Sequence, residues 1–156
     1  MKKDKELEKF TKELQEQILE QVRRRYSKVV IDHWQNPRNM MAMDAPDGYA
    51  KIKGTCGDSM EMFIKMKADI IEECTYQTDG CGMTIACGSL ATELAYGKTF
   101  MEALATVSAD EILKRFEGLP KEDVHCAQLA AETLRRALAD RISHKQSPWK
   151  KNYRQN

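Results

Sequence analysis

The stretch SMEMFIKMKADIIEECTYQT, residues 59 to 78, decides the fold. Between Ser59 and Lys67, Met60, Met62, Ile64 and Met66 alternate with Glu61, Lys65 and Lys67. That two-residue period puts one apolar and one charged face on a half-buried strand. Ala68-Asp69 predicts a tight turn, after which Ile70 to Thr78 returns as a second strand with Cys74 and Tyr76 on one side. Tyr49 to Gly54 is a further short strand ahead of them, and three strands this close in sequence form most economically an antiparallel meander.

Outside this sheet the periodicity turns helical. Residues 83–96 form a helix opened by Gly80-Cys81-Gly82 and stopped by Gly97. Thr99 with Glu102 and Ser108 with Glu111 each predict a capping box, and Gly118 and Pro120 end the second of these short helices. A last helix covers about 125–142, with Leu129, Ala130, Leu134, Ala137 and Leu138 inward. Upstream, Leu7, Phe10, Leu14, Ile18 and Val22 recur at three- and four-residue steps, which predicts one long amphipathic helix over 5–33. Asn36-Pro37-Arg38-Asn39 then makes a turn. Strands followed by helices give an α+β fold, a small three-stranded antiparallel sheet covered by helices, with an extra N-terminal amphipathic helix.

At 156 residues, 42% hydrophobic and 31% charged, the chain suits one ordinary soluble domain. Its apolar runs are only a few residues long, so no membrane span is expected. Six acidic residues among the first 25 argue against a secretory or transit leader, and a cytoplasmic location is the expectation. A net charge of +1 removes nucleic acid as the main partner. Residues 143–156 carry four Lys/Arg and no acid, and read as a solvated basic tail.

Five cysteines, an odd number, argue against a disulfide framework. Cys56 lies in Gly54-Thr55-Cys56-Gly57-Asp58 between two strands, and Cys81 sits between glycines ahead of a helix. Cys126 follows His125 at the start of the last helix. Helix N-termini favour the thiolate, the form that ligates metal, so Cys81 and Cys126 are both expected to gain from it. Cys74, on a strand, and Cys87, inside the 83–96 helix, read as small core residues.

Three boundary cysteines suit a soft metal site, zinc or iron–sulfur. No Cys-x2-Cys pair is present, so neither a zinc ribbon nor a ferredoxin arrangement applies. The natural fourth ligand is Asp58, with His125 as its substitute. A hard carboxylate oxygen is a weaker partner for iron–sulfide than a fourth thiolate, so such a site should hold its cargo loosely.

These motifs resemble the iron–sulfur cluster assembly scaffolds of the IscU family and the NifU N-terminal domain. The resemblance runs from Tyr26-Ser27-Lys28-Val29-Val30-Ile31-Asp32-His33-Trp34-Gln35-Asn36-Pro37-Arg38-Asn39 through Cys56-Gly57-Asp58-Ser59-Met60 and Gly80-Cys81-Gly82. It continues with Ile85-Ala86, Ser89-Leu90-Ala91-Thr92-Glu93 and Gly97-Lys98, and closes on Leu119-Pro120 and His125-Cys126. It divides the chain into an N-terminal helical extension (1–25), a scaffold domain (26–142) and the basic tail (143–156). It implies that Cys56, Cys81, Cys126 and Asp58 bind a [2Fe-2S] cluster built from iron, with His125 auxiliary and Cys126 accepting persulfide sulfur. The implied partners are a pyridoxal-phosphate cysteine desulfurase, an electron donor such as a ferredoxin, and recipient apo-proteins. Zinc binding in the metal-free site is implied too.

The chain departs from that pattern in three places. Leu119-Pro120-Lys121-Glu122-Asp123-Val124 lacks the Leu-Pro-Pro-Val-Lys segment that a dedicated chaperone grasps in many relatives. Cys87 stands where relatives usually carry serine, and is either core or an extra thiol facing the site. Residues 1–25 extend the usual N-terminus, either packing on the domain or mediating partner docking or self-association into a homodimer. A stand-alone scaffold that is not an enzyme is expected.

Two rivals frame this reading. A zinc-bound, persulfide-accepting protein that stimulates a desulfurase, as SufU relatives do, would use the same residues. Those relatives carry an insertion between the second and third ligands, and the short interval from Cys81 to Cys126 argues for the scaffold. A His125–Cys126 nucleophile pair would leave Cys56, Asp58 and Cys81 unexplained. As sequence neighbours on a helix, the two side chains are also expected to diverge.

Overall fold

The structure is a computed structural model that describes residues 1–146, with side chains to residue 143. Strands β1 (Gly48–Lys53), β2 (Ser59–Lys67) and β3 (Ile70–Thr78) form one antiparallel sheet in the order β1-β2-β3. Ala50 faces Met62 and Met62 faces Tyr76 across it, so the predicted apolar face is continuous over all three strands. Met60, Met62, Ile64 and Tyr76 on that face are fully buried. A register shift at Lys65/Met66 twists the far end of the β2–β3 pair, and Ala68 turns the chain at φ 55°.

Helix α3 (Gly82–Ala95) lies on this face as the centre of the core, burying Ala86, Cys87, Leu90, Ala91 and Ala95. Tyr76 Oη donates to Ile85 O of the helix at 2.8 Å. Helix α6 (Val124–Gln146) crosses β1 and β2 and packs on α3 through Ala127, Ala130, Leu134, Ala137 and Leu138. A helix so rich in buried alanine can approach its neighbours closely, which keeps the core dense. Helices α4 (Phe100–Thr106) and α5 (Ala109–Arg115) fill the connection between α3 and α6.

The structure corrects four details. The helix expected over 5–33 is two helices, α1 (Lys2–Arg25) and α2 (Lys28–Gln35), because Tyr26 and Ser27 are extended. Ser27 caps α2: its hydroxyl accepts from Val30 N and donates to Phe116 O at 2.7 Å. The Thr99–Glu102 box is complete, but at Ser108 only the serine half forms, because Glu111 turns its carboxylate to Arg115 Nε at 2.9 Å. Helix α6 runs beyond 142 to Gln146, so the first residues of the expected tail are helical; the rest of that tail lies outside the described residues. Finally, α1 buries no residue, and Leu7, Phe10, Leu14 and Ile18 are all exposed, so its apolar stripe does not pack on the domain.

No described helix is long and apolar enough to cross a membrane.

Candidate metal centre

Three chain reversals meet at one end of the sheet. The β1–β2 loop is closed by Gly54 N donating to Asp58 O at 2.7 Å and Gly57 N to Gly54 O at 3.1 Å. Gly57 takes φ 91°, a left-handed conformation in which a side chain is disfavoured, and this turns Cys56 outward at the tip. The β3–α3 turn is tied to the start of β2: Ser59 N donates to Asp79 Oδ1 at 2.6 Å, and Thr78 Oγ1 to Ser59 O at 2.6 Å. These bonds fix the Cys56 loop against the segment that carries Cys81.

Cys81 is the N-cap of α3, and its thiol is exposed. Gly82 follows because Trp34 from α2 lies directly on it; a Cβ there would fall 2.3 Å from the indole Nε1. This gives the glycines around Cys81 a packing reason, and it explains how the Tyr26–Asn39 motif supports the site from below. Asn39 completes that support, with its carbonyl accepting from Tyr76 N and its side chain donating to Thr92 Oγ1.

The structure brings three of the expected residues into contact through one that sequence reasoning missed. Thr84, fully buried in the first turn of α3, places its hydroxyl 2.9 Å from Asp58 Oδ2, 3.5 Å from Cys126 Sγ and 3.7 Å from Cys81 Sγ. His125 Nε2 lies 3.6 Å from Cys126 Sγ. Cys56 joins this group less directly: its charge is felt at Cys126. As the side chains stand, no group of three His, Cys, Asp or Glu among the described residues is close enough to hold one ion. The available signal for Thr84 was its spacing, since residues three apart on a helix share a face and Thr84 follows Cys81 by three.

Two expectations about Cys126 are corrected. The thiolate was expected to gain from the helix N-terminus, but Cys126 is fully buried and its thiol is pushed up to about 12. Burial is the largest cause; the Thr84 hydrogen bond pulls the other way, and the negative charges of Cys81, Asp123 and Cys56 add to the rise. Cys126 sits in the first turn of α6 among the residues that pack on α3 and the sheet, beside fully buried Ala127 and Ala130. Nor do His125 and Cys126 diverge: the imidazole folds back alongside the sulfur. A buried thiol with a raised pKa is nevertheless the opposite of an activated nucleophile.

The remaining cysteines are core residues, as expected. Cys74 is pushed up to about 12 by burial alone. Cys87 is fully buried and raised by burial first, then by the charges of Cys126, Asp123 and Cys81, which places it in the core directly behind the site. Asp123 in turn accepts from Tyr26 Oη at 2.6 Å, and Arg25 pairs with Glu122, so the end of α1 is fastened to the turn that leads into Cys126.

The family model of the NifU-like N-terminal domain matches residues 25–147. The chain is 46% identical over 116 residues to the iron-sulfur cluster assembly scaffold protein IscU 1 of Archaeoglobus fulgidus, covering 74% of this chain and 75% of that protein. It is 39% identical over 127 residues to the protein of the same description, IscU, from Escherichia coli K12, covering 78% and 98%. Among solved structures it resembles the N-terminal part of a nitrogen-fixing NifU-like protein from Brucella abortus, with TM-score 0.61, 16% identity and coverage of 75% and 94%. It also resembles a SUF-system protein of Fervidobacterium islandicum AW-1, with TM-score 0.60, 20% identity and coverage of 72% and 96%. At those identities the two structures bear on the fold alone.

Proposed function

The chain belongs to the NifU-like N-terminal domain family, and on that premise we propose that it is a scaffold on which an iron–sulfur cluster is assembled and from which it is passed on. The observation that carries this reading is the meeting of Asp58, Cys81 and Cys126, from three different elements, around one buried hydroxyl. Thiolates suit iron and sulfide, and one carboxylate among them suits release. The cluster is cargo, a [2Fe-2S] unit held by Cys56, Cys81, Cys126 and Asp58, with His125 beside Cys126 as an auxiliary donor.

Sulfur would arrive as a persulfide on a cysteine desulfurase. The Cys126 thiolate attacks the terminal sulfur, the donor's S–S bond breaks, and the donor leaves as a thiolate. The burial of Cys126 sets a condition on that step: the thiol has to become accessible to the donor and has to lose its proton. An electron donor such as a ferredoxin and recipient apo-proteins complete the cycle. Protein isolated without oxygen and supplied with iron and sulfide is expected to develop visible absorption and the Mössbauer spectrum of a [2Fe-2S] cluster. Tight zinc that resists this treatment, with no visible absorption, would overturn the scaffold reading and leave a zinc-bound sulfur-transfer protein.

A further inference from the structure

Thr84 has no part in the proposed ligand set, yet its hydroxyl lies among three of the ligands. We propose that Thr84 is a positioning residue that makes Asp58 a reversible ligand: it holds the carboxylate while the site is empty and takes it back when metal leaves. This rests on the preceding reading of the site and extends it to a residue outside the ligand set.

Three features of the molecule support it. Thr84 is fully buried, so its hydroxyl needs a partner inside the protein, and a carboxylate is the strongest acceptor within reach. The backbone is shaped for that bond. A Cβ on Gly80 would fall 2.8 Å from Asp58 Oδ2 and 2.7 Å from Thr84 Cβ, so a glycine leaves room for the carboxylate to reach the hydroxyl. Third, among the described residues no three potential ligands are close enough to grip an ion as they stand, and Asp58 is already engaged. Loading therefore exchanges one Asp58 partner for another, the Thr84 O–H for the metal, and unloading reverses the exchange. A ligand with a partner waiting leaves more readily than one that must depart without a partner.

The test follows zinc(II) alone from the loaded protein to excess chromophoric chelator, with cobalt(II) absorption reporting thiolate ligation. Thr84→Ala is expected to release zinc about fivefold more slowly, the equivalent of about 1 kcal/mol for one hydrogen bond. Thr84→Ser, which keeps the hydroxyl, should release at the wild-type rate. In an Asp58→Ala background, whatever its own release rate, the further change Thr84→Ala should have no effect. Release at the wild-type rate or faster in Thr84→Ala overturns the proposal. So does Thr84→Ser behaving like alanine, or slowing that persists without Asp58. Circular dichroism of the metal-free variants checks folding, and the serine variant keeps the test decisive if alanine destabilises the core. Wild-type protein that binds neither metal refutes the site reading as well; binding with no difference among the variants refutes this inference alone.

Discussion

At the scale of single residues, the environment of a side chain decides its chemistry more than its neighbours in sequence do. His33 shows this away from the metal centre. It is buried against Phe116, with Nδ1 2.8 Å from Ser89 Oγ and Nε2 3.5 Å from Glu93. Ser89 Oγ also accepts from Arg38 N at 2.9 Å, so the imidazole is tied to the same hydroxyl as the Pro37–Arg38 turn. Burial, with Arg38 adding to it, holds the imidazole below its ordinary value, against the pull of Glu93 and Asp32. The unfolded chain therefore binds a proton that the folded one refuses. The stability that neutral His33 contributes is complete above about pH 6.5 and is lost as pH falls from there toward the depressed folded value. Urea midpoints are expected to fall between about pH 7.5 and 5.5 in the wild type, and to fall less in His33→Asn. Equal slopes in the two proteins would remove His33 from the account.

Elements are bounded by residues whose local bonds compete with the periodic pattern. Apolar spacing carries on past Tyr26, but Ser27 takes extended backbone and starts a new helix, α2, with a bond to Phe116 O from a distant segment. A serine can satisfy a free helix N–H better from the cap than from the interior, and periodicity does not register this. Ser27→Ala loses both the cap and the long-range bond. We expect it to destabilise the protein by about 1–2 kcal/mol in urea unfolding; a change below a few tenths would mean the break is imposed by packing alone. The effect should reach the site, because α2 carries Trp34 onto Gly82 beside Cys81. In α1 local propensity has little such tertiary support: its stripe is exposed, and its last turn is fastened through Arg25 and Tyr26 to Glu122 and Asp123.

Across the whole molecule, the candidate ligands come from a hairpin loop, the start of α3 and the start of α6, which only the folded chain brings together. Metal should therefore bind the native state and raise its stability by mass action. With zinc about a hundredfold above its dissociation constant, the melting temperature is expected to rise by roughly 5–10 °C and to return on chelation. An equal rise in Cys81→Ala would place the zinc elsewhere. The three-stranded antiparallel sheet and the core faces of β2 and β3 were legible in the sequence, because alternation and turns are local signals that burial only reinforces; the register, with its shift at Lys65/Met66, was not. The loop and helix-start placement of Cys56, Cys81 and Cys126, with Asp58 two residues from the first, was legible for the same reason. Which of these thiols is exposed, which is buried and protonated, and which side chain stands among them was not. Those properties depend on desolvation and on contacts between residues 26 to 42 apart in sequence, from Thr84 to Asp58 and to Cys126. Tertiary packing alone creates such contacts, so the sequence determined which residues could hold a metal, and the fold decided that Thr84 lies among them.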